Sequence, residues 1–320
     1  MQKSLFVLFG STGSLAREKI IPALEKFHNE DIQIVLYGRR NFETDFTYIK
    51  GELNDISQIE NFAKEKNITK IYFYVSLPPN LYPEIINSIS KVDDSIEKVI
   101  ALEKPFGTSL ENAKELEKQL KEIKNSKVYL VDHYLAKEPV IEMKKVDLEK
   151  VKNIKIAILE TVDVTDRVEF YDSVGAIKDV GQNHMLNILV KLIGNLDKVH
   201  YKKGSLKLGQ YKGYVNPKTE TYFKANFGIK ETDVDIEFEA GKKQEEDSGY
   251  VKVEYLDGSE YKVQIKPSDK PMVKEAHEYI IEDIISGENK FAVSIEQSLL
   301  DWKITEEVLA DKPQTEIKIY

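Results

Sequence analysis

Two short segments concentrate side chains able to act as acid, base or charged ligand. In YDSVGAIKDVGQNHMLNIL, residues 171–189, a helical run places Asp179 a turn and a bit before His184, beside the amides Gln182 and Asn183. The second segment, DHYLAKE at 132–138, follows directly on the apolar strand KVYLVD. Asp, His, Tyr and Lys crowded at a strand end are costly to desolvate unless a polar ligand sits there. The two segments together offer a base, a carboxylate to orient it, and cationic donors for an anionic substrate.

The strands and helices that flank these segments change rhythm part-way along the chain. LFVLF (5–9), IQIVLY (32–37), IYFYVSL (71–77), KVIALE (98–103) and KVYLVD (127–132) read as buried strands, with helical segments at Leu15 to Phe27 and SLENAKELEKQLKEIK. This alternation predicts a parallel, Rossmann-type sheet with helices on both faces. After residue 133 come the strand IKIAILE (154–160), a long helix from Ala176 to Ile193, and then extended segments in succession. The last of these is a hairpin with Asp257-Gly258 at its turn, a dipeptide suited to type I′. Two C-terminal helices follow, with Gly287 placed to cap the first. The expected organisation is a dinucleotide-binding domain over 1–132, then a substrate-binding and catalytic α+β domain over 133–320. The second is read as a mixed, largely antiparallel sheet with helices on one face.

Gly10-Ser11-Thr12-Gly13-Ser14-Leu15 lies between the first strand and the first helix, where a dinucleotide pyrophosphate would sit. Gly10 permits a tight turn, Gly13 lets the backbone approach a phosphate, and the helix N-terminus supplies amides. Thr12 and Leu15 replace two glycines of the usual pattern. The second strand ends Tyr37-Gly38-Arg39-Arg40, with no acid at its tip for a ribose 2′-hydroxyl. Paired guanidiniums suit a 2′-phosphate, so the expected cofactor is NADP; two solvated arginines are the plain alternative. In Glu103-Lys104-Pro105-Phe106-Gly107, a lysine at a strand's carboxyl edge can reach both nicotinamide and sugar. Of the five histidines only His133 and His184 sit among such neighbours; His28, His200 and His277 read as structural or exposed. No His/Glu spacing typical of zinc occurs, so no metal is assigned.

Composition narrows the class. The 320 residues, 41% hydrophobic, have room for two cores. A net charge of −9 argues against nucleic acid, whose binding needs a basic face. There are no cysteines, which excludes disulfides and thiol catalysis. The apolar run Leu5 to Phe9 is too short for a signal peptide, and the longest other stretch, Met185 to Ile193, is interrupted by Asn187 and Lys191. The expectation is a cytoplasmic protein without a membrane span.

With these motifs in view, the chain resembles the glucose-6-phosphate dehydrogenase family almost end to end. GSTGSLAREKIIPAL is similar to the family's nucleotide loop and first helix, YVSLPPNLY to its cofactor-side strand end, and EKPFG is intact. DHYLAKE resembles the substrate-phosphate motif and YDSVGAIKDVGQNHMLNIL the catalytic helix. The resemblance implies that His184 takes the proton from the C1 hydroxyl while Asp132 orients it. It implies that His133, Tyr134 and Lys137 hold the substrate phosphate or nearby oxygens. Asp179 and Glu160 would bind sugar hydroxyls, and Lys104 would bridge sugar and cofactor. The family's substrate-binding Gly-Lys pair survives as Gly241-Lys242-Lys243, with Lys242 carried over as a substrate contact. Ser14 stands where the loop usually has Asp, and Ala136 where the phosphate motif has Gly. The later arginine of the Gly-Lys strand falls near Asp247, and material is missing after the catalytic helix and at the C-terminus. A homo-oligomer, dimer or tetramer, is the implied assembly.

Three functions follow as expectations. The first is NADP-dependent oxidation of the hexose 6-phosphate to 6-phospho-D-glucono-1,5-lactone, supplying NADPH through the pentose phosphate pathway. The second is a sugar or inositol dehydrogenase of the broader two-domain type, which shares the EKP motif. The third is a non-catalytic NADP-binding regulator.

Overall fold

The segment SLFVLF is buried along its whole length and forms β1 (Ser4–Phe9). Burial on both faces is the signature of a central parallel strand. In the computed structural model, which describes residues 3–29, 31–165, 168–267, 273–313 and 317–320, β1 lies between two parallel partners. A π-helical turn, Ala16–Ile20, leads into α1 (Ile21–Glu25), then β2 (Ile32–Gly38), β3 (Thr47–Lys50) and α2 (Ser57–Glu65). β4 (Lys70–Val75), α3 (Tyr82–Ile89), β5 (Glu97–Glu103), α4 (Leu110–Lys121) and β6 (Ser126–Val131) follow. The parallel strands run β3-β2-β1-β4-β5-β6, the doubly wound order in which the chain reverses direction between β1 and β4. The helix α4 starts where the Ser109 side chain accepts the Asn112 N–H at 3.2 Å, an N-cap.

The second half opens with α5 (Glu138–Ile141) and β7 (Val151–Leu159), followed by α6 (Val168–Ala176). The expected helix from Ala176 to Ile193 is in fact two: a π-helical stretch Ile177–Met185, then α7 (Leu186–Ile193). The strands β8 (Val199–Tyr201), β9 (Lys207–Gly209), β10 (Tyr222–Ile229), β11 (Asp235–Gly241), β12 (Ser248–Tyr255) and β13 (Glu260–Lys266) complete a second sheet. Its order is β13-β12-β7-β11-β10-β8, and among the described strands of this sheet only the β7–β11 pair is parallel. This is the mixed, largely antiparallel sheet expected. The hairpin turn differs from type I′. Gly258 has φ +83°, whereas Asp257 is absent from the described residues with positive φ. Asp257 Oδ1 accepts both the N–H and the hydroxyl of Ser259, an Asx turn that holds it in place. A three-residue loop ending in a left-handed glycine results.

The chain then supplies α8 (Ala276–Ser286), β14 (Ala292–Val293) and α9 (Ile295–Ala310). Gly287 ends α8 with φ +73°, as expected of its cap. Two compact units result: Met1–Ala136 with Lys274–Ile295, and Lys137–Val273 with Glu296–Tyr320. The expected division at 132/133 therefore shifts by four residues, and a later segment returns to the first unit. The reason is physical. β14 adds an antiparallel edge to β6, and Asp283 on α8 accepts hydrogen bonds from the Tyr129 hydroxyl and the Phe291 N–H. Among the described residues no helix is long and apolar enough to cross a membrane.

Candidate active-site residues of the two units

In the first unit the chemistry gathers at the carboxyl edge of the parallel sheet, where such folds bind ligands. Gly10, just beyond β1, has φ +75°, and a Cβ there would lie 2.1 Å from the Ser76 carbonyl oxygen. Only glycine fits. The Gly13 N–H donates to Gly10 O at 2.9 Å, and the Arg17 N–H to Gly13 O at 3.0 Å, so the first helix winds up directly from this turn. Gly13 and Ser14 are exposed, and Thr12 and Leu15 half-buried. Ser11 is turned inward: its hydroxyl donates to Tyr37 O at 3.2 Å and ties the loop to β2. Arg39 and Arg40, past the end of β2, are exposed, and neither guanidinium has an ion-pair partner among the described residues. A closely approachable backbone and two unpaired guanidiniums fit a dinucleotide carrying a 2′-phosphate.

At the ends of β5 and β6 stand Lys104 and the Asp132–Tyr134 motif. Lys104 is half-buried beside the buried Glu103. The Asp132 carboxylate is buried and accepts the Tyr134 N–H at 3.0 Å, so its direction is set by its own turn. His133 is half-buried, with its ring 5.2 Å from that of Tyr134. A third ring joins them, from a helix whose amphipathic pattern marked it as structural or exposed. His277 on α8 is buried and stacks on His133 with ring centroids 5.7 Å apart at 21°. Only the return of residues 274–295 to this unit brings it there.

In the second unit the parallel pairing of β7 with β11 places Leu159 opposite Gly241, so the next residues, Glu160 and Lys242, emerge side by side. The Lys242 ammonium binds Glu160 and also lies 3.1 Å from Asp179 Oδ2. Lys266, at the same edge on β13, reaches Glu160 Oε1 at 2.7 Å. Burial alone would push the Glu160 carboxyl up, but Lys242 and Lys266 outweigh it and hold it down at about 2. Asp179 and His184 share the π-helical stretch, both buried. In an α-helix residues five apart point about 140° from each other. Wider winding with i→i+5 bonds narrows that angle and brings residues five apart toward one face. Lys137 opens this unit, its carbonyl accepting the Val140 and Ile141 N–H groups of α5 at 2.8 and 2.9 Å.

The start of that stretch is held by a residue that lies outside every motif of the chain. Glu220 is buried; its carbonyl accepts the Ala176 N–H at 3.0 Å and its side chain the Ile177 N–H at 3.3 Å. Lys312 balances its charge. An acid at a helix start meets unpaired amides and the positive end of the helix dipole.

The sequence profile of the glucose-6-phosphate dehydrogenase NAD-binding domain matches residues 33–142, and that of the family's C-terminal domain residues 143–195. The chain belongs to the glucose-6-phosphate dehydrogenase family. It is 35% identical over 230 residues to glucose-6-phosphate 1-dehydrogenase of Borreliella burgdorferi, covering 57% of this chain and 48% of that protein. It is 28% identical over 228 residues to glucose-6-phosphate 1-dehydrogenase 1 of Mycobacterium tuberculosis, covering 58% and 49%. The chain thus spans about half the length of these curated relatives. Its fold is that of a glucose-6-phosphate dehydrogenase solved with its substrate glucose-6-phosphate, with a TM-score of 0.81 at 19% identity over 100% of this chain and 94% of that one. A D-galactose-1-dehydrogenase from Rhizobium etli follows with a TM-score of 0.69 at 13% identity over 100% and 98%. The family match spans Arg39, Arg40, Lys104, Asp132, His133, Tyr134, Lys137, Glu160, Asp179 and His184. Gly10 to Leu15 and Lys242 lie outside it and stand on the geometry above.

Proposed function

We propose that this chain oxidises D-glucose 6-phosphate at C1 to 6-phospho-D-glucono-1,5-lactone with NADP, feeding the pentose phosphate pathway. The observation that carries the reading is the lysine-held pair Asp179–Glu160, in which Asp179 shares one π-helical stretch with a buried histidine. That is an array of hydroxyl acceptors beside a base, the combination needed to seat and deprotonate a hemiacetal. His184 removes the C1 hydroxyl proton as the C1–H bond breaks, and Asp132 orients the imidazole and stabilises its cation. NADP, when bound, accepts the hydride. Asp179 and Glu160 accept hydrogen bonds from sugar hydroxyls, with Lys242 beside them, and Lys104 bridges sugar and cofactor. His133, Tyr134 and Lys137 take the phosphate. Gly10, Thr12, Gly13, Ser14 and Leu15 lend backbone to the pyrophosphate, Ser11 steadies that loop, and Arg39 and Arg40 grip the 2′-phosphate. Cytoplasmic residence and a homo-oligomer belong to the same proposal, supported by family membership.

The test is NADPH formation with a panel of sugars and sugar phosphates. Glucose 6-phosphate is expected to react far faster than free glucose, with His133→Ala or Lys137→Ala raising its KM more than that for NADP. Equal oxidation of free glucose or an inositol would replace the reading with a broader sugar dehydrogenase. Tight NADP binding with no turnover on any sugar would replace it with a non-catalytic binder.

A further inference from the structure

His277, on the first turn of α8, is buried and directs an unpartnered nitrogen at a carboxylate. Among the described residues its Nε2 has no hydrogen-bond partner, and it lies 3.4 Å from Glu103 Oε1, outside bonding geometry. The same Glu103 oxygen accepts the Tyr74 hydroxyl at 2.6 Å, and the Tyr82 hydroxyl donates to the Glu103 carbonyl. The carboxylate is therefore fixed from the sheet side. On its other flank His277 stacks against His133 at 5.7 Å. A row of groups, Tyr74–Glu103–His277–His133, runs from the sheet interior to the motif that follows β6. Leaving a buried polar nitrogen unpaired is costly, and an apolar ring would fill the space without that cost. A flat ring packed beside a fixed carboxylate, with a nitrogen facing its oxygen, is by contrast suited to hold a second ring in one plane.

We propose that His277 is a positioning residue for His133. Its ring face sets the plane of the His133 imidazole, and Glu103, facing Nε2, sets the orientation of His277 itself. An imidazole held in place loses less freedom when an anion binds, so the benefit falls on the affinity for a phosphate group. The proposal rests on the reading of His133 as the contact for the substrate's phosphate.

The experiment compares His277→Ala, His277→Gln and His277→Phe. Loss of the ring face in His277→Ala or His277→Gln is expected to raise KM for glucose 6-phosphate roughly three- to tenfold, with kcat changing less and KM for NADP unmoved. His277→Phe, which keeps the face but lacks the nitrogen that faces Glu103, should show a smaller rise, and that rise is the readout should the smaller variants fail to fold. KM for glucose 6-phosphate unchanged in His277→Ala and His277→Gln, or KM for NADP rising equally, overturns the proposal. A second readout needs no turnover: inorganic phosphate should shift the His133 ring-proton resonances, at higher concentration in His277→Ala than in the unmodified protein. If that difference is seen while no sugar phosphate is oxidised, the proposed activity fails and the positioning role stands. If oxidation is seen while the difference is absent, the positioning role fails and the activity stands.

Discussion

The Lys242 ammonium lies 3.1 Å from the Asp179 carboxylate while it also binds Glu160. One cation thus ties the end of β11 to the π-helical stretch of His184 and to the residue after β7. All three side chains are buried or nearly so, with exposures of 5% for Lys242 and Asp179 and 14% for Glu160. Lys266 supplies the second positive charge, so two acids meet two lysines and the cluster is neutral as a whole. Such a group binds hydroxyls without a net field, and it makes every member dependent on the others.

Removing the shared cation should therefore be severe. Lys242→Met strands two carboxylates with one lysine, and breaking a buried pair in this way costs about 3–5 kcal/mol. Urea denaturation measures it. A loss under about 1 kcal/mol would show that the cluster does not hold the second unit together.

The same cluster predicts an acid limb. The Glu160 carboxyl is held at about 2 against an ordinary value of 4.5, because Lys242 and Lys266 outweigh a burial that acts the other way. A depressed acid contributes its stability fully above about pH 4.5 and loses it as pH falls toward 2. The contribution is of order 3 kcal/mol. Urea midpoints measured against pH should fall less steeply over that window in Glu160→Gln. Coincident acid limbs would remove Glu160 as the cause.

Gly175 forms the kink before the Asp179–His184 stretch. Its φ is +65°, and a Cβ would lie 2.3 Å from Glu220 Oε1. Gly175→Ala should cost roughly 2 kcal/mol or more and lower kcat, since the cap that starts the stretch must move. Thermal unfolding and steady-state kinetics check both halves. Unchanged Tm and kcat would mean that Glu220 yields without consequence.

Cofactor choice should follow the arginines. NADP should be preferred over NAD by at least about tenfold in kcat/KM, the effect of one lost charge-assisted contact of on the order of 1.5–3 kcal/mol. Arg39→Asp should reduce or invert the preference. Equal use of both cofactors by the unmodified protein would refute the assignment.

His184→Ala should lower kcat by about 10²-fold or more with little change in NADP affinity, the usual contribution of a positioned base. Asp132→Asn should lower kcat as well, through loss of the orienting charge. If His184→Ala kept more than a tenth of the activity, Asp179 would be the next group to test as base.

Much of this molecule is legible along the chain because the information is local. Continuous apolar runs such as LFVLF and KVYLV are strands of the parallel sheet, the glycine at position 10 is a forced turn, and Arg39-Arg40 follows a strand that lacks an acid at its tip. The motif residues Asp132, His133, Asp179 and His184 are recognisable by type and spacing, and family membership follows from the same segments. Local pattern fails where winding departs from the α-helical period. The π-helical turns at Ala16–Ile20 and Ile177–Met185 add residues per turn without any change in composition that announces it. It fails likewise at Asp257, where a side-chain bond to Ser259 outweighed the positive-φ preference of Asp-Gly.

What the sequence determined by itself is which elements form and which residues carry reactive groups, since burial pattern, turn chemistry and residue type are properties of neighbouring positions. Which distant residues serve them is settled by packing alone. The parallel register of β7 on β11 set Glu160 beside Lys242, and Lys266 joined them from β13. Glu220 came from a different segment to start the helix of His184, and the return of α8 to the first unit laid His277 against His133. Each of these contacts joins residues dozens to more than a hundred positions apart. Such contacts form only when whole sheets and helices pack, because the gain from burying their apolar faces, rather than any local preference, brings those residues together.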